Sequence, residues 1–265
     1  MLKPIRWILI IYGLIAALFY SYQKHFFFQP KQLDKDHKYK FVEGVPYTET
    51  RLPFDSSTII DVIRFLPADT VKGIVLFFHG NRSNVEHYSR YAPYFTAHGY
   101  ECWMPDYPGY GRSTGKMDVE VLQKLSIQLY KMARVNYKPS QIVIYGKSLG
   151  TGIAAYLASQ RDCRHLVLES PYFNLASVAA NYLFFLPVHR LVKYNLDTYR
   201  YFDDVTAPIT IVHGDKDALI PLTNSASLIS HMKTSDAFYI IRNGTHNNLP
   251  SFIKYKEILD SVMEH

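Results

Sequence analysis

Ser148 stands in the pentapeptide Gly146-Lys147-Ser148-Leu149-Gly150, a GxSxG pattern that follows the apolar run QIVIY and precedes helix-forming residues. A serine hydroxyl is a weak nucleophile, and this context supplies part of what makes it reactive. A tight strand-to-helix turn lifts the hydroxyl to where a base can reach it. The flanking glycines let chain segments pass closely, and the free N–H groups of the new helix face developing negative charge. Among eleven histidines, His246 lies in Asn243-Gly244-Thr245-His246-Asn247, a turn-like loop after the last strand signal and before the last helix signal. His231 falls on an apparent helix and His265 is terminal. The base needs an acid to hold its tautomer. Asp217, in HGDKDALIP directly after an apolar run, comes first. Asp215 has a role available in the turn itself, and Glu169, ending HLVLES, is the other contender. The three candidates occur in the chain order Ser, Asp, His, the order expected when the nucleophile sits on such a strand-to-helix turn.

A tetrahedral oxyanion needs donors. The N–H of Leu149, next after the nucleophile, is one candidate. The second is expected from the loop after the first buried strand, His79-Gly80-Asn81, which makes the Asn81 N–H the candidate. His79 and His213 each precede a glycine at a strand end and read as structural histidines bonded to nearby backbone.

The elements that must position these groups follow from hydrophobic period. Tyr47–Leu52 alternates and Ile59–Leu66 is β-branched, an early antiparallel pair joined through Pro53–Ser57. From residue 73 the strand signals become short continuous apolar runs, as expected for strands buried on both faces: GIVLFFHG, YECWMPD, QIVIYG, HLVLES, ITIVHGD and AFYIIRN. Helical stretches alternate with them, around Glu86–Ala97, Asp118–Val135, Leu149–Gln160 and Ile253–Met263. This rhythm predicts an α/β fold with a mostly parallel central sheet and helices on both faces. The interval 171–208 is too long for a simple crossover and holds NYLFFLPVHRLVKYNL. It reads as a small helical insert over the ligand-binding edge.

The N-terminus carries a different signal. Trp7–Tyr22 is an uncharged apolar run, preceded by Lys3 and Arg6 and followed by Lys24, with Trp7, Tyr20 and Tyr22 placed as interfacial anchors. It has no polar face, which argues against a core helix, and FFFQP after it offers no small-residue cleavage site. The expected organisation is a membrane anchor over 1–28, a polar surface connector over 29–45, and a catalytic domain over 46–265 with its insert at 171–208. Basic residues on both sides of the run (Lys24, Lys31, Lys35, Lys38 and Lys40 on the C-terminal side) leave open which side of the membrane the domain faces.

Composition agrees with a globular domain: 48% apolar, 20% charged, and 15% aromatic over 265 residues. A formal charge of +6 with no arginine-rich tract argues for an anionic lipid surface over nucleic acid. Cys102 and Cys163 form no CxxC or Cys/His cluster, so no zinc site is suggested. Cys102 reads as a core residue, and a bond between the two is not expected.

Taken in order, HGN, DYPGYGRSTG (Asp106–Gly115), GKSLG, LESPY, HGDKDALIP and GTHNN resemble the α/β-hydrolase superfamily over roughly residues 45–262. More narrowly they are similar to single-anchor membrane hydrolases that include protein depalmitoylases and Hydrolase-4, serine-aminopeptidase-like domains. The resemblance implies a serine hydrolase without metal or organic cofactor; the Phe184–Pro187 insert and the anchor point to an apolar, acyl-chain substrate near a bilayer, and so to a carboxylic ester or thioester hydrolase. Arg82-Ser83 departs from the small residues usual after HGN, and Lys147 from the residues common beside the nucleophile. A peptidase and a non-catalytic, membrane-tethered binding module are the competing readings.

Overall fold

A computed structural model describes residues 2–264; His265, set aside above as terminal, lies outside the described residues. The chain opens with helix α1 (Leu2–Phe27) and the two-residue strand β1 (Gln29–Pro30). The strands β2 (Tyr47–Pro53), β3 (Ile59–Phe65) and β4 (Gly73–Phe78) follow, then β5 (Arg82–Ser83), α2 (Val85–Tyr88), α3 (Ala92–Ala97) and β6 (Tyr100–Pro105). Next come α4 (Val119–Ala133), β7 (Ile142–Lys147), α5 (Leu149–Gln160) and β8 (His165–Glu169). Three short helices, α6 (Leu175–Tyr182), α7 (Val188–Leu191) and α8 (Thr198–Phe202), fill the interval before β9 (Ile209–Gly214). The chain ends with α9 (Leu222–Ala226), β10 (Ala237–Ile241) and α10 (Ile253–Glu264).

Eight strands form one sheet in the order β10-β9-β8-β7-β4-β6-β3-β2. The six from β6 to β10 in that order pair in parallel, and β3 and β2 complete the edge antiparallel. β4, β6, β7 and β9 are buried along their whole length, which is why they read as unbroken apolar runs. Alternate residues feed two cores. Ile74, Leu76, Ile142 and Ile144 point to the face covered by α4, α5 and α8, while Val75, Phe77, Val143 and Tyr145 point to the face covered by α3 and α10. After β4 the chain goes to β6 on one side and then crosses to β7 on the other. The loops after β4 and β7 therefore open a crevice at the strand ends, where such sheets bind ligands.

Four expectations are revised. The helix expected over Glu86–Ala97 is two short helices joined by a 3-10 turn at Ser89–Tyr91, with Pro93 opening the second. His231 sits on a 3-10 turn, not an α-helix. The connector is not a free surface spacer. Tyr39 is buried, β1 pairs in parallel with β5, and the Tyr39 hydroxyl donates to Asp106 Oδ2 at 3.0 Å. The apolar N-terminal segment extends beyond Tyr22: the stretch of α1 from Pro4 to Phe27, 24 residues, is long and apolar enough to cross a membrane. Both cysteines are free thiols, Cys102 within the core.

Candidate active site

The turn between β7 and α5 holds Ser148 at φ 51°, ψ −120°, a left-handed conformation that costs a non-glycine residue energy. The surroundings hold it there. Its N–H donates to the Glu169 carbonyl at 2.9 Å, and its own carbonyl accepts from the Thr151 N–H at 2.9 Å and hydroxyl at 2.6 Å. The glycines are required by contact. A Cβ on Gly150 would collide with the Phe78 carbonyl, and one on Gly146 would lie 2.6 Å from the Gly150 oxygen. Only glycine lets α5 pack this close to the end of β4.

Asp217 and His246 come from the turns after the neighbouring strands β9 and β10. These turns are zipped together: Lys216 N–H donates to the Gly244 carbonyl at 2.8 Å, Asn243 N–H to Asp215 Oδ1 at 2.6 Å, and Asp215 N–H to the Ile241 carbonyl at 3.2 Å. Asp215 thus serves the turn. Gly214 lies so close to Gly244 that a Cβ would strike its backbone.

The result is a contiguous relay. His246 Nε2 is 3.0 Å from Ser148 Oγ, and Nδ1 is 2.7 Å from Asp217 Oδ2. With Nδ1–H donated to the carboxylate, the Nε2 lone pair faces the serine hydroxyl. Asp217 Oδ1 accepts from the Leu219 and Ile220 N–H groups, each at 2.9 Å. Burial pushes the Asp217 carboxyl up, but its hydrogen bonds from His246 and the Ile220 amide outweigh this and hold it below the ordinary range. His213 is buried beside it, with Nε2 bonded to the Ile220 carbonyl at 2.9 Å. Desolvation lowers its pKa against the pull of Asp217, so it is a neutral structural ring. His79, stacked on Tyr107 and bonded through Nδ1 to the Gly80 carbonyl at 2.8 Å, is structural too.

Asn81 and Leu149 line the same cavity as Ser148. Leu149 opens α5, so its N–H has no intrahelical partner. The Asn81 carbonyl is turned away and held by the Tyr110 hydroxyl at 2.7 Å and the Gln29 N–H at 2.9 Å, while Tyr107 donates to the His79 carbonyl at 2.8 Å. The DYPGYGRSTG segment is therefore a brace for the Asn81 loop. Arg82-Ser83, unusual at sequence level, form β5 and pair with β1, and Arg82 Nε donates to Gln29 Oε1 at 2.7 Å.

Glu169, weighed as an alternative acid, does not touch the His246 ring. It lies at the centre of a buried cluster, bonded to Lys147 Nζ at 2.5 Å, Tyr91 at 3.0 Å, Tyr255 at 2.9 Å, and Tyr145. Burial raises its carboxyl, but Lys147 and the tyrosine hydroxyls outweigh that and hold it below its ordinary value. Lys147 also donates to the His246 carbonyl at 2.9 Å. The sequence marks Lys147 as a departure but does not assign it this role. The available signal was a lysine ending an apolar strand, in register with a glutamate ending the next.

The cavity at Ser148 has a volume of about 250 Å³. Its walls are mainly apolar, with Tyr172, Leu175, Val178 and Tyr182 from the insert and Leu219 and Ile220 from the Asp217 turn. Residues of the 171–208 interval thus form part of the wall beside Ser148.

Comparison with known proteins agrees with this architecture. Residues 69–196 match the family described as Hydrolase_4, serine aminopeptidase, S33. An uncharacterized protein of Acanthamoeba polyphaga mimivirus is 30% identical over 265 residues, covering 86% of this chain and 87% of that one. The α/β hydrolase domain-containing protein 17C of Xenopus tropicalis is 28% identical over 197 residues, covering 72% of this chain and 61% of its own length. An uncharacterized Mycobacterium tuberculosis protein is 29% identical over 159 residues, covering 59% of this chain and 56% of that protein. These last two matches span little more than half of each relative. Among solved structures, a Pyrococcus furiosus esterase superposes with a TM-score of 0.71 at 17% identity, over 90% of this chain and 97% of that one, a likeness of fold. With the sheet order, the relay geometry and these relatives together, the chain belongs to the α/β-hydrolase superfamily.

Proposed function

We propose that the protein is a membrane-anchored serine hydrolase that cleaves carboxylic esters or thioesters through Ser148, His246 and Asp217. The observation that carries the reading is the relay itself, a buried carboxylate 2.7 Å from one ring nitrogen and a serine hydroxyl 3.0 Å from the other. Ser148 Oγ attacks the carbonyl carbon as its proton passes to His246 Nε2, and the carbonyl electron pair moves onto oxygen. Asn81 and Leu149 N–H groups receive that oxyanion, and Asp217 stabilises the imidazolium. Collapse expels the alcohol or thiol, which takes the proton from Nε2. Water then attacks the acyl-enzyme with His246 as base, and Ser148 leaves with its proton restored.

The walls favour an apolar acyl group. A peptidase reading finds support in the description of the matched family. Among the described residues, however, no carboxylate lines the cavity to receive an α-amino group, and the charged side chain there is Arg82. An anchoring role for α1 rests on its length and hydropathy. The test is turnover of p-nitrophenyl esters of graded chain length beside aminoacyl-p-nitroanilides, with Ser148→Ala as the comparison. Ester turnover that rises with chain length and vanishes in the variant is expected. Undiminished turnover by Ser148→Ala overturns the assignment.

A further inference from the structure

Helix α1 does more than tether the domain. At its C-terminal end Phe19, Phe27 and the following Phe28 are buried, and Phe26 packs against them. The contacts are with the insert. Phe26 meets Tyr182 edge-on at 5.9 Å between ring centroids, and Phe27 and Phe28 meet Tyr194 at 6.1 and 5.0 Å. Gln23, 2% exposed, locks the two together. Its Nε2 donates to the Leu191 carbonyl at 3.0 Å, and its Oε1 accepts the Lys193 N–H at 2.7 Å. Lys193 Nζ rests 3.6 Å from the centroid of the Tyr20 ring. A side-chain amide that satisfies two backbone groups in an apolar interface fixes register as well as contact.

The same segment reaches the reacting serine. Phe26, Phe27 and Gln29 line the cavity that holds Ser148, together with Val178 and Tyr182. Immediately beyond, Gln29 N–H donates to Asn81 and Lys31 N–H to the Ser83 carbonyl at 3.0 Å, so the chain leaving α1 is hydrogen-bonded to the loop that carries the Asn81 donor. At about 1.5 Å per residue, α1 is about 39 Å long, against about 30 Å of bilayer hydrocarbon. Its last turns therefore carry the helix from the bilayer to the mouth of the cavity. Beside it the insert exposes Phe184 (84%) and Phe185 (45%), apolar side chains suited to a lipid surface.

We propose that α1 is part of the substrate site: Phe26 and Phe27 are specificity-determining residues that wall the acyl subsite, and a long acyl chain held in the same bilayer passes along α1 to Ser148. The proposal rests on the hydrolase reading above and deepens it. It makes the anchor a wall of the pocket, so that a substrate whose chain stays in the membrane is favoured over a dispersed one.

The experiment uses the full chain in phosphatidylglycerol-containing vesicles and long-chain alkyl fluorophosphonates that carry a photoactivatable diazirine at successive carbons. After reaction and illumination, peptides are mapped by mass spectrometry. The proposal predicts phosphonylated Ser148 cross-linked to the peptide containing Phe26–Gln29. A Ser148 adduct whose cross-links never fall in that segment overturns it while leaving the hydrolase reading intact, whereas no adduct at Ser148 overturns both. Competitors identify the source of the chain, either a diacyl phospholipid or a peptide with an S-linked long acyl group in the same vesicles. Protection by one of them supports the proposal, and protection by neither overturns it. As a second readout, Phe26→Trp should lower the ratio of kcat/KM for sixteen-carbon over four-carbon esters by about ten-fold. An unchanged ratio contradicts the proposal.

Discussion

Replacing Lys147 by methionine isolates what the buried cluster beneath Ser148 contributes. The substitution keeps the volume of the side chain and removes its charge. Glu169 is then left fully buried with tyrosine hydroxyls but without its cation. Removing one partner of a buried pair costs about 3–5 kcal/mol. For a domain of this size that is a fall in Tm of about 6–20 °C. The pH dependence gives the sharper signature. In the wild-type protein Glu169 is held below its ordinary value, so its contribution to stability is present above about pH 4 and is lost as pH falls through the lowered value. In the variant, burial acts without Lys147 and raises the carboxyl. The variant therefore loses stability as pH rises through that raised value. The gap between the two proteins should therefore be narrower at about pH 5, where the wild-type contribution separates them, than at about pH 8, where the variant's loss is added to it. Thermal unfolding in detergent micelles, followed by circular dichroism across this range, measures it. Ester turnover should also drop on the order of ten- to a hundred-fold, because Lys147 Nζ no longer holds the His246 carbonyl. A Tm shift that is the same at both pH values refutes the electrostatic argument, and full turnover refutes the positioning one.

Other expectations follow from the same geometry. Asp217→Asn should lower kcat by about 10³–10⁴-fold with KM little changed, because the amide cannot hold the His246 tautomer; steady-state ester hydrolysis checks this. Gly150→Ala should fold poorly or unfold well below wild type in a thermal melt, since its Cβ meets the Phe78 carbonyl, a rigid backbone atom. Deleting residues 1–28 should lower Tm even in detergent, because it strips Phe19, Phe27, Phe28 and Gln23 from the insert; equal melting of the two forms would show that the interface contributes nothing. His213→Asn should leave ester turnover within about ten-fold of wild type, as expected of a structural ring that touches the acid from behind.

The parts of this molecule that were readable in advance share a physical reason. β4, β6, β7 and β9 are buried on both faces, so each reads as an unbroken apolar run, and the turns that follow them hold Asn81, Asp106, Ser148 and Asp217. A serine between two glycines at such a boundary leaves few other conformations for the chain. What could not be read was tertiary. The uniformly apolar α1 has no face that announces which side packs on protein, and Gln23 looks like the polar end of a span until Leu191 and Lys193 are seen beside it. The connector carries KQLDKDHKYK, which reads as solvated, yet Tyr39 within it is buried against Asp61 and Asp106. Lys147 is a charge in a strand that pattern alone would call apolar, and it is tolerated there because Glu169 lies opposite in the β7–β8 register. The break at Ser89–Tyr91 is local, set by Pro93, but the hydrophobic period runs through it and concealed it.

The central claim is that Ser148 is made nucleophilic by His246 and Asp217. It is tested most directly by treating the full-length protein with a fluorophosphonate and mapping the adduct by peptide mass spectrometry. Stoichiometric modification of Ser148, abolished by Ser148→Ala and slowed at least about a hundred-fold by His246→Ala, is the predicted result. Modification at another residue, or equal labelling of Ser148 with His246 removed, would contradict the account.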